Sequence, residues 1–513
     1  MKNFWPTNLT PRPGQVGAIQ ALLRALKEGQ RAVLDAPTGW GKTLVTLIAL
    51  REAKTTPVLW LIRSLAVGER IAEDAEKIRF RSFIAGGKGK TCLIKELKKG
   101  DMYYYCRFFR YSCEYLKNLI KQSSIPSVKS YRELVSYCKE RKICPYYAQD
   151  FVIKNVDIII QNYFRRRFWT EALVIDEAHN LLLPRENRFP VDQLNNVIVA
   201  LERFPYSNKK TISSLISLKH FIEKYEGAFD SRAFIDENVL IDLESALAFF
   251  LERKIKTGIG QLLRVLKSDI LYVERETLIG IKAPIMGIPR PAVLLSGTFI
   301  PELSRVLDVD IYIKVERKPI QTFVLTWLTS KFNEFDEHIR EYRKLLNILK
   351  KYGSVVVFGT HRVISKFRHE ADIYEEDIVK IPANWSGILL LKTRGRFSEG
   401  VDIKARIVTI LGAPYMTPEI ISRLSDIYRR LGFKDYKMLA SDVPMLIATL
   451  QCIGRITRDI QVKPVVILAD YRYQYFERFL SPYLSFIYLK DLKELRKWLE
   501  LRVKASSGDA MNK

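Results

Sequence analysis

A short apolar run, a glycine-bearing turn and a helical stretch follow one another in RAVLDAPTGWGKTLVTLIAL, residues 31 to 50. A second strand-like run, Val58 to Ile62, comes after the helix, and such alternation commits this part of the chain to parallel α/β layering. Within the turn, Gly39 and Gly41 allow a tight bend whose N–H groups surround phosphate oxygens at the positive end of the following helix, which opens at Gly41 or Lys42. Pro37, Thr38 and Trp40 complete that cradle, with Ala36 standing where a first glycine is usual. Lys42 is placed to reach the β- and γ-phosphates of a nucleotide, and Thr43 to hold Mg²⁺ through its hydroxyl.

LVIDEAHN, residues 173 to 180, supplies the partner motif. Its apolar residues read as a buried strand that delivers Asp176 and Glu177 to its C-terminal end, where parallel sheets bind ligands. Asp176 is expected to hold Mg²⁺ through water, and Glu177 to orient and deprotonate an attacking water. Further strands are read at Asp157 to Gln161, Ala172 to Ile175, Ala292 to Leu295, Ser354 to Phe358, Gly387 to Leu391, Ile407 to Leu411 and Pro464 to Leu468. They divide the chain into a first α/β domain in three parts (1–90, 149–186 and 285–312) and a second over 313–503, followed by a polar tail at 504–513. Two insertions interrupt the first domain. One is cysteine-rich, at 91–148; the other, at 187–284, reads as mainly helical, with Leu240, Leu243, Leu247, Leu251 and Ile255 at helical spacing.

Five of the six cysteines, Cys92, Cys106, Cys113, Cys138 and Cys144, crowd into the first insertion. In a chain of 513 residues without an apolar leader, such crowding favours metal ligation over a disulfide framework. No histidine lies among them, so the site is all-thiolate, which suits a structural Zn²⁺ or an iron–sulfur cluster equally. The chain carries 83 Lys+Arg against 57 Asp+Glu, a net charge of +26, and an anionic polymer is the expected partner. No apolar run approaches the roughly 20 residues that span a bilayer, so a cytoplasmic protein without a membrane partner is expected. In MYYYCRFFRYSCEY the aromatics interleave with Arg107 and Arg110. They fit stacking on exposed bases, and equally the packing of a small domain's own core.

DEAH after APTGWGKT, with five cysteines between the two, resembles the iron–sulfur XPD/DinG family of superfamily 2 DNA helicases, and nearly the whole chain follows that family's order. The resemblance implies an α/β fold of two RecA-like P-loop motor domains, an inserted Fe–S cluster domain and an inserted helical arch. It implies adenine recognition by Arg12 and Gln15, DNA contacts by Arg63, Thr298 and Thr360, and cofactor contacts by Glu399, Gly400 and Asp402 of GRFSEGVDI. It also implies catalytic parts for Lys42, Asp176, Glu177 and His179, with Gln451, Arg455 and Arg458 of QCIGRITRD. Spaced by four and three residues, this last trio shares a helix face and can meet a phosphate held by the other domain. By the same resemblance the cluster is [4Fe–4S], ligated by Cys92, Cys106, Cys113 and Cys144, with Cys138 as the substitute.

These readings converge on an ATP- and Mg²⁺-dependent helicase or translocase on single-stranded and forked DNA. A monomer is expected, with 5′→3′ polarity implied by the family, serving DNA repair alongside repair or replication proteins. Two other functions fit the same motifs: a DNA-stimulated ATPase clamp or remodelling subunit that does not unwind, and a Zn-stapled non-catalytic nucleic-acid-binding protein.

Overall fold

A computed structural model describes residues 5, 10–37, 39–94, 99–163, 165, 168–182, 184–282, 287–301, 303–397, 403–456 and 464–508. The first domain is built on β1 (Arg31–Asp35), β2 (Val58–Ile62), β3 (Ser82–Ile84), β4 (Ile158–Asn162) and β5 (Ala172–Ile175). The second insertion carries β6 (Arg185–Pro190), β7 (Gly227–Phe229), β8 (Ile270–Glu274) and β9 (Thr277–Lys282). The chain then returns to the first sheet through β10 (Ala292–Ser296) and β11 (Ile311–Lys314). The second domain follows with β12 (Ile320–Leu325), β13 (Ser354–Gly359), β14 (Ile373–Tyr374), β15 (Gly387–Lys392), β16 (Ile407–Leu411), β17 (Val465–Ala469) and β18 (Leu484–Leu489).

Both large sheets have seven strands, in the orders β11-β1-β10-β5-β2-β4-β3 and β14-β15-β13-β16-β17-β12-β18, and every pairing is parallel. Strands covered on both faces read as continuous apolar runs. VLWLI of β2 shows why: Leu59 and Leu61 enter a core that reaches into the second domain, while Val58, Trp60 and Ile62 enter the core on the other face. The register is what builds the site. Asp35 pairs with Ser296, and Leu294 with Ile175, so the carboxyl ends of β1, β10 and β5 lie side by side.

The second insertion has four helices of eight residues or more, including Glu237–Glu252 and Ile259–Leu266, but also an antiparallel sheet β6-β9-β8-β7 that its periodicity did not announce. The middle of that sheet is covered on both faces, with Ile270, Ile279 and Ile281 in one core and Leu271, Val273 and Leu278 in the other, whereas RENRFP of β6 is polar because it is an edge strand. The cysteine insertion docks here rather than standing apart. Its helix Lys99–Phe109 places Tyr104 in the core of the second insertion, and Asp101 against Gly260.

Candidate functional site

Gly39 (φ +80°) and Gly41 (φ +105°) take the left-handed backbone that a phosphate cradle requires. A Cβ on Gly41 would lie 2.6 Å from the Gln15 amide. Gln15 donates to the Trp40 carbonyl at 2.6 Å, Arg12 donates to the Gly39 carbonyl, and the Trp40 indole N–H donates to the Pro13 carbonyl at 3.3 Å. The expected adenine-reading turn is thus tied directly to the loop. Lys42 folds back on the carbonyls of Ala36 (2.8 Å) and Pro37 (3.3 Å). Burial lowers its pKa, against the pull of Glu177 and Asp176.

At the end of β5, burial and then the charge of Glu177 push the Asp176 carboxyl up to about 7, a value that Lys42 opposes. Glu177 sits at φ +49°, a strained backbone for a residue with a side chain. Its N–H donates to Asp176 Oδ1 (3.1 Å), and Tyr163 Oη donates to the carbonyls of both acids. Next to them His179 is 1% exposed, and burial drives its pKa down to about 4. The neutral ring joins the two domains: Gln451 donates its amide N–H to His179 Nε2 at 2.8 Å, leaving the proton on Nδ1 towards Ser296 Oγ (2.8 Å). Thr298 Oγ1 lies 3.2 Å from the same Nδ1. Gln451 is in the helix Asp442–Gly454 of the second domain, and Arg455 caps that helix near enough to affect the His179 charge.

Beyond the DEAH turn, a cavity of about 720 Å³ is lined by Arg63, Lys88, Lys90, Arg110 and Arg165 together with Tyr103, Tyr146, Tyr147 and Asn162. Five cations with aromatic faces suit a phosphodiester chain with stacked bases. Arg63 is shared property, because its guanidinium also donates to Asn180 Oδ1 at 2.5 Å.

Lys88, Arg110, Tyr146 and Tyr147 also wall a second, smaller cavity of about 30 Å³, into which Cys92, Cys106, Cys113 and Cys144 face together. These four thiols come from separate elements. Cys92 ends one short helix, Cys106 lies within the helix Lys99–Phe109, and Cys113 and Cys144 are the N-caps of Glu114–Ile120 and Pro145–Val152. Burial raises the Cys92 thiol and pushes Cys144 to about 12. Cys138 is fully buried elsewhere, in a core with Leu134 and Ile143, and does not line the cavity. Among the described residues no three thiols, imidazoles or carboxylates converge closely enough to hold a single metal ion.

Comparison with known proteins agrees with this layout. Residues 8–203 match the model for the type III restriction enzyme res subunit, and residues 315–482 that for the helicase C-terminal domain. The ATP-dependent DNA helicase XPD of Sulfolobus acidocaldarius is 24% identical, over 88% of this chain and 94% of that one. The chain is similar to XPD helicases over nearly its whole length. Among solved structures, an XPD helicase matches with a TM-score of 0.73 at 21% identity, over 94% of this chain and all of its own. The Xpd4 structure from S. tokodaii matches with a TM-score of 0.61 at 16% identity, over 93% of this chain and all of its own. The XPD-like fold therefore holds throughout, with two RecA-like halves meeting at the nucleotide loop.

In this XPD-like chain Arg12, Gln15, Pro37, Gly39, Trp40, Gly41, Lys42, Thr43, Asp176, Glu177, His179, Gln451 and Arg455 fall at or around one cleft. Thr38, Glu399, Gly400, Asp402 and Arg458 lie outside the described residues. Of the expected DNA contacts, Arg63 lines the groove, Thr298 turns to His179, and Thr360 caps the short helix His361–Ile364. The aromatic run divides: Tyr103 faces the groove, Tyr105 the thiols, and Tyr104 the core of the second insertion. Tyr163, Asn162 and Asn180 were missed, although NY directly after a strand and N directly after DEAH mark them as strand-end polar residues.

Proposed function

We propose that this protein is an ATP-dependent helicase that translocates 5′→3′ along single-stranded DNA and opens duplexes during DNA repair. The observation that carries the reading is Arg63, which faces the basic groove and also bonds Asn180, the neighbour of His179. Strand binding in the groove is thereby linked to the hydrolytic turn. ATP entering the loop takes Lys42 from the carbonyls of Ala36 and Pro37, while Glu177 holds and deprotonates the attacking water. Arg455 stabilises charge developing on the transferred phosphoryl group, and Gln451 reports its arrival to His179 across the cleft. Mg²⁺ bound through Thr43 and Asp176 would neutralise the β- and γ-oxygens.

Cys92, Cys106, Cys113 and Cys144 fit a [4Fe–4S] cluster. All four line one cavity, and an all-cysteine quartet is the ligand set that such a cluster takes. Such a cluster would supply a rigid four-point brace at the groove wall, drawn from four separate elements.

DNA-stimulated ATP hydrolysis and strand displacement on a forked substrate with a 5′ tail test the reading. Lys42→Ala and Glu177→Gln should abolish both; wild-type turnover in either variant overturns the assignment. Translocation without displacement would place the protein among the clamps and remodellers instead.

A further inference from the structure

Asp35 is the last residue of β1, completely buried, and directly precedes the phosphate loop. Three parts of the molecule converge on its carboxylate. Arg317, in the linker between β11 and β12, donates one arm of its guanidinium to Asp35 Oδ1 and the other to the Gly297 carbonyl at 2.7 Å. Tyr312 of the first domain donates to Asp35 Oδ2 at 2.8 Å. Tyr483 of the second domain reaches the same oxygen at 3.1 Å, is also within bonding reach of the Phe299 carbonyl, and lies under the Arg317 guanidinium at 4.5 Å. Its own carbonyl accepts from the N–H of Ile320, where β12 begins.

The segment after β10 connects this junction to the hydrolytic turn. The side chains of Ser296 and Thr298 face His179, while the carbonyls of Gly297 and Phe299 face Arg317 and Tyr483. A buried ion pair contributes little net stability, but its hydrogen bonds are directional and fix the relative placement of the groups that share them. We propose that Asp35, Arg317 and Tyr483 form a hinge that carries the nucleotide state of the phosphate loop to the second motor domain, with Tyr483 the positioning residue on the far side. The proposal rests on the helicase reading for its functional consequence, though not for the motion itself.

The test compares two variants that each remove one phenol hydroxyl from the same carboxylate. Tyr483→Phe breaks a bond that crosses between the domains; Tyr312→Phe breaks one inside the first domain. Tyr483→Phe should leave the Kd for a fluorescent ATP analogue within twofold of wild type, and likewise DNA-independent turnover, yet lower base pairs opened per ATP at least fivefold. Tyr312→Phe should keep the wild-type ratio. Equal losses in both variants, or none in Tyr483→Phe, overturn the hinge. Hydrogen exchange decides the motion independently of unwinding: a non-hydrolysable ATP analogue should change protection at residues 480–489 in wild type and Tyr312→Phe but not in Tyr483→Phe. If the wild type does not unwind while this transmitted change is seen, the helicase reading falls and the hinge stands. If protection at 480–489 responds in all three proteins or in none, the hinge falls.

Discussion

Gly260 is a point of close packing between the two insertions, and enlarging it should loosen them. The residue lies in the helix Ile259–Leu266, and a Cβ added there would stand 2.6 Å from Asp101 Oδ1, 3.2 Å from the Tyr104 ring and 3.5 Å from the Asp101 backbone. Asp101 is 1% exposed and Tyr104 5%, so neither can swing out of the way. Two effects oppose each other in Gly260→Ala. Alanine is favoured in a helix by about 1 kcal/mol, whereas forcing a methyl group into a filled contact costs about 1–3 kcal/mol. With contacts this short the upper part of that range applies, leaving a net loss of about 1–2 kcal/mol at the interface. Each 1.4 kcal/mol is tenfold, so local opening of the helix Lys99–Phe109 should become roughly 5–30 times more frequent. Native-state hydrogen exchange followed by peptide mapping reads this directly, with the helix Lys42–Ala53 as an internal reference. Unchanged or greater protection over 99–109 would refute the docking of the cysteine insertion on the second insertion.

Three further outcomes follow from the site. Burial holds the folded His179 near pKa 4 against a usual 6.5, so between those values the unfolded chain binds the extra proton and stability falls as pH falls. From pH 6.5 to 5 the loss is about 1.6 kcal/mol, the slope approaching about 1.36 kcal/mol per unit only below the unfolded pKa; urea midpoints should show it, His179→Gln should flatten it, and matching slopes in both proteins would contradict it. Cys144→Ser should strip iron, sulfide and visible absorption from anaerobically purified protein, while Cys138→Ala keeps them; equal loss in both would remove Cys138 from the core and return it to the ligand set. Lys90→Ala should weaken single-stranded DNA binding and reduce the slope of log K against log salt by about 0.7, and an unaltered slope would take phosphate out of the groove.

The motor strands that were legible are short apolar runs covered on both faces, and those read at 58–62, 172–175 and 407–411 coincide with those observed, whereas β3, β11, β12, β14 and β18, among them the half-exposed edge strands β11 and β18, were not read. The phosphate loop and DEAH turn were legible for a related reason, since glycines and paired acids after such runs have few other uses. The sheet β6-β9-β8-β7 was not, because its edge strand β6 is mostly polar and its central strand β9 is buried on both faces, so neither shows a clean alternation. Asp35, Arg317 and Tyr483 could not be linked by reading along the chain. Each is an ordinary residue in its local stretch, and only the closing of the two domains brings them together. The choice among five cysteines shows the same limit, because their spacing leaves Cys138 eligible until helix Tyr131–Glu140 turns it into the core.

The level ends of β1, β10 and β5 divide the labour of the cleft. Neighbouring parallel strands hold Asp35, Ser296 and the start of the DEAH turn at a lateral spacing of about 4.8 Å, set by the backbone ladder rather than by side chains. That half of the site is as stiff as the sheet beneath it. Gln451 and Arg455 have no such foundation, since they arrive on a helix from the other domain. Sequence change in the first domain therefore alters side chains on a fixed frame, whereas change in the second can shift whole distances across the cleft.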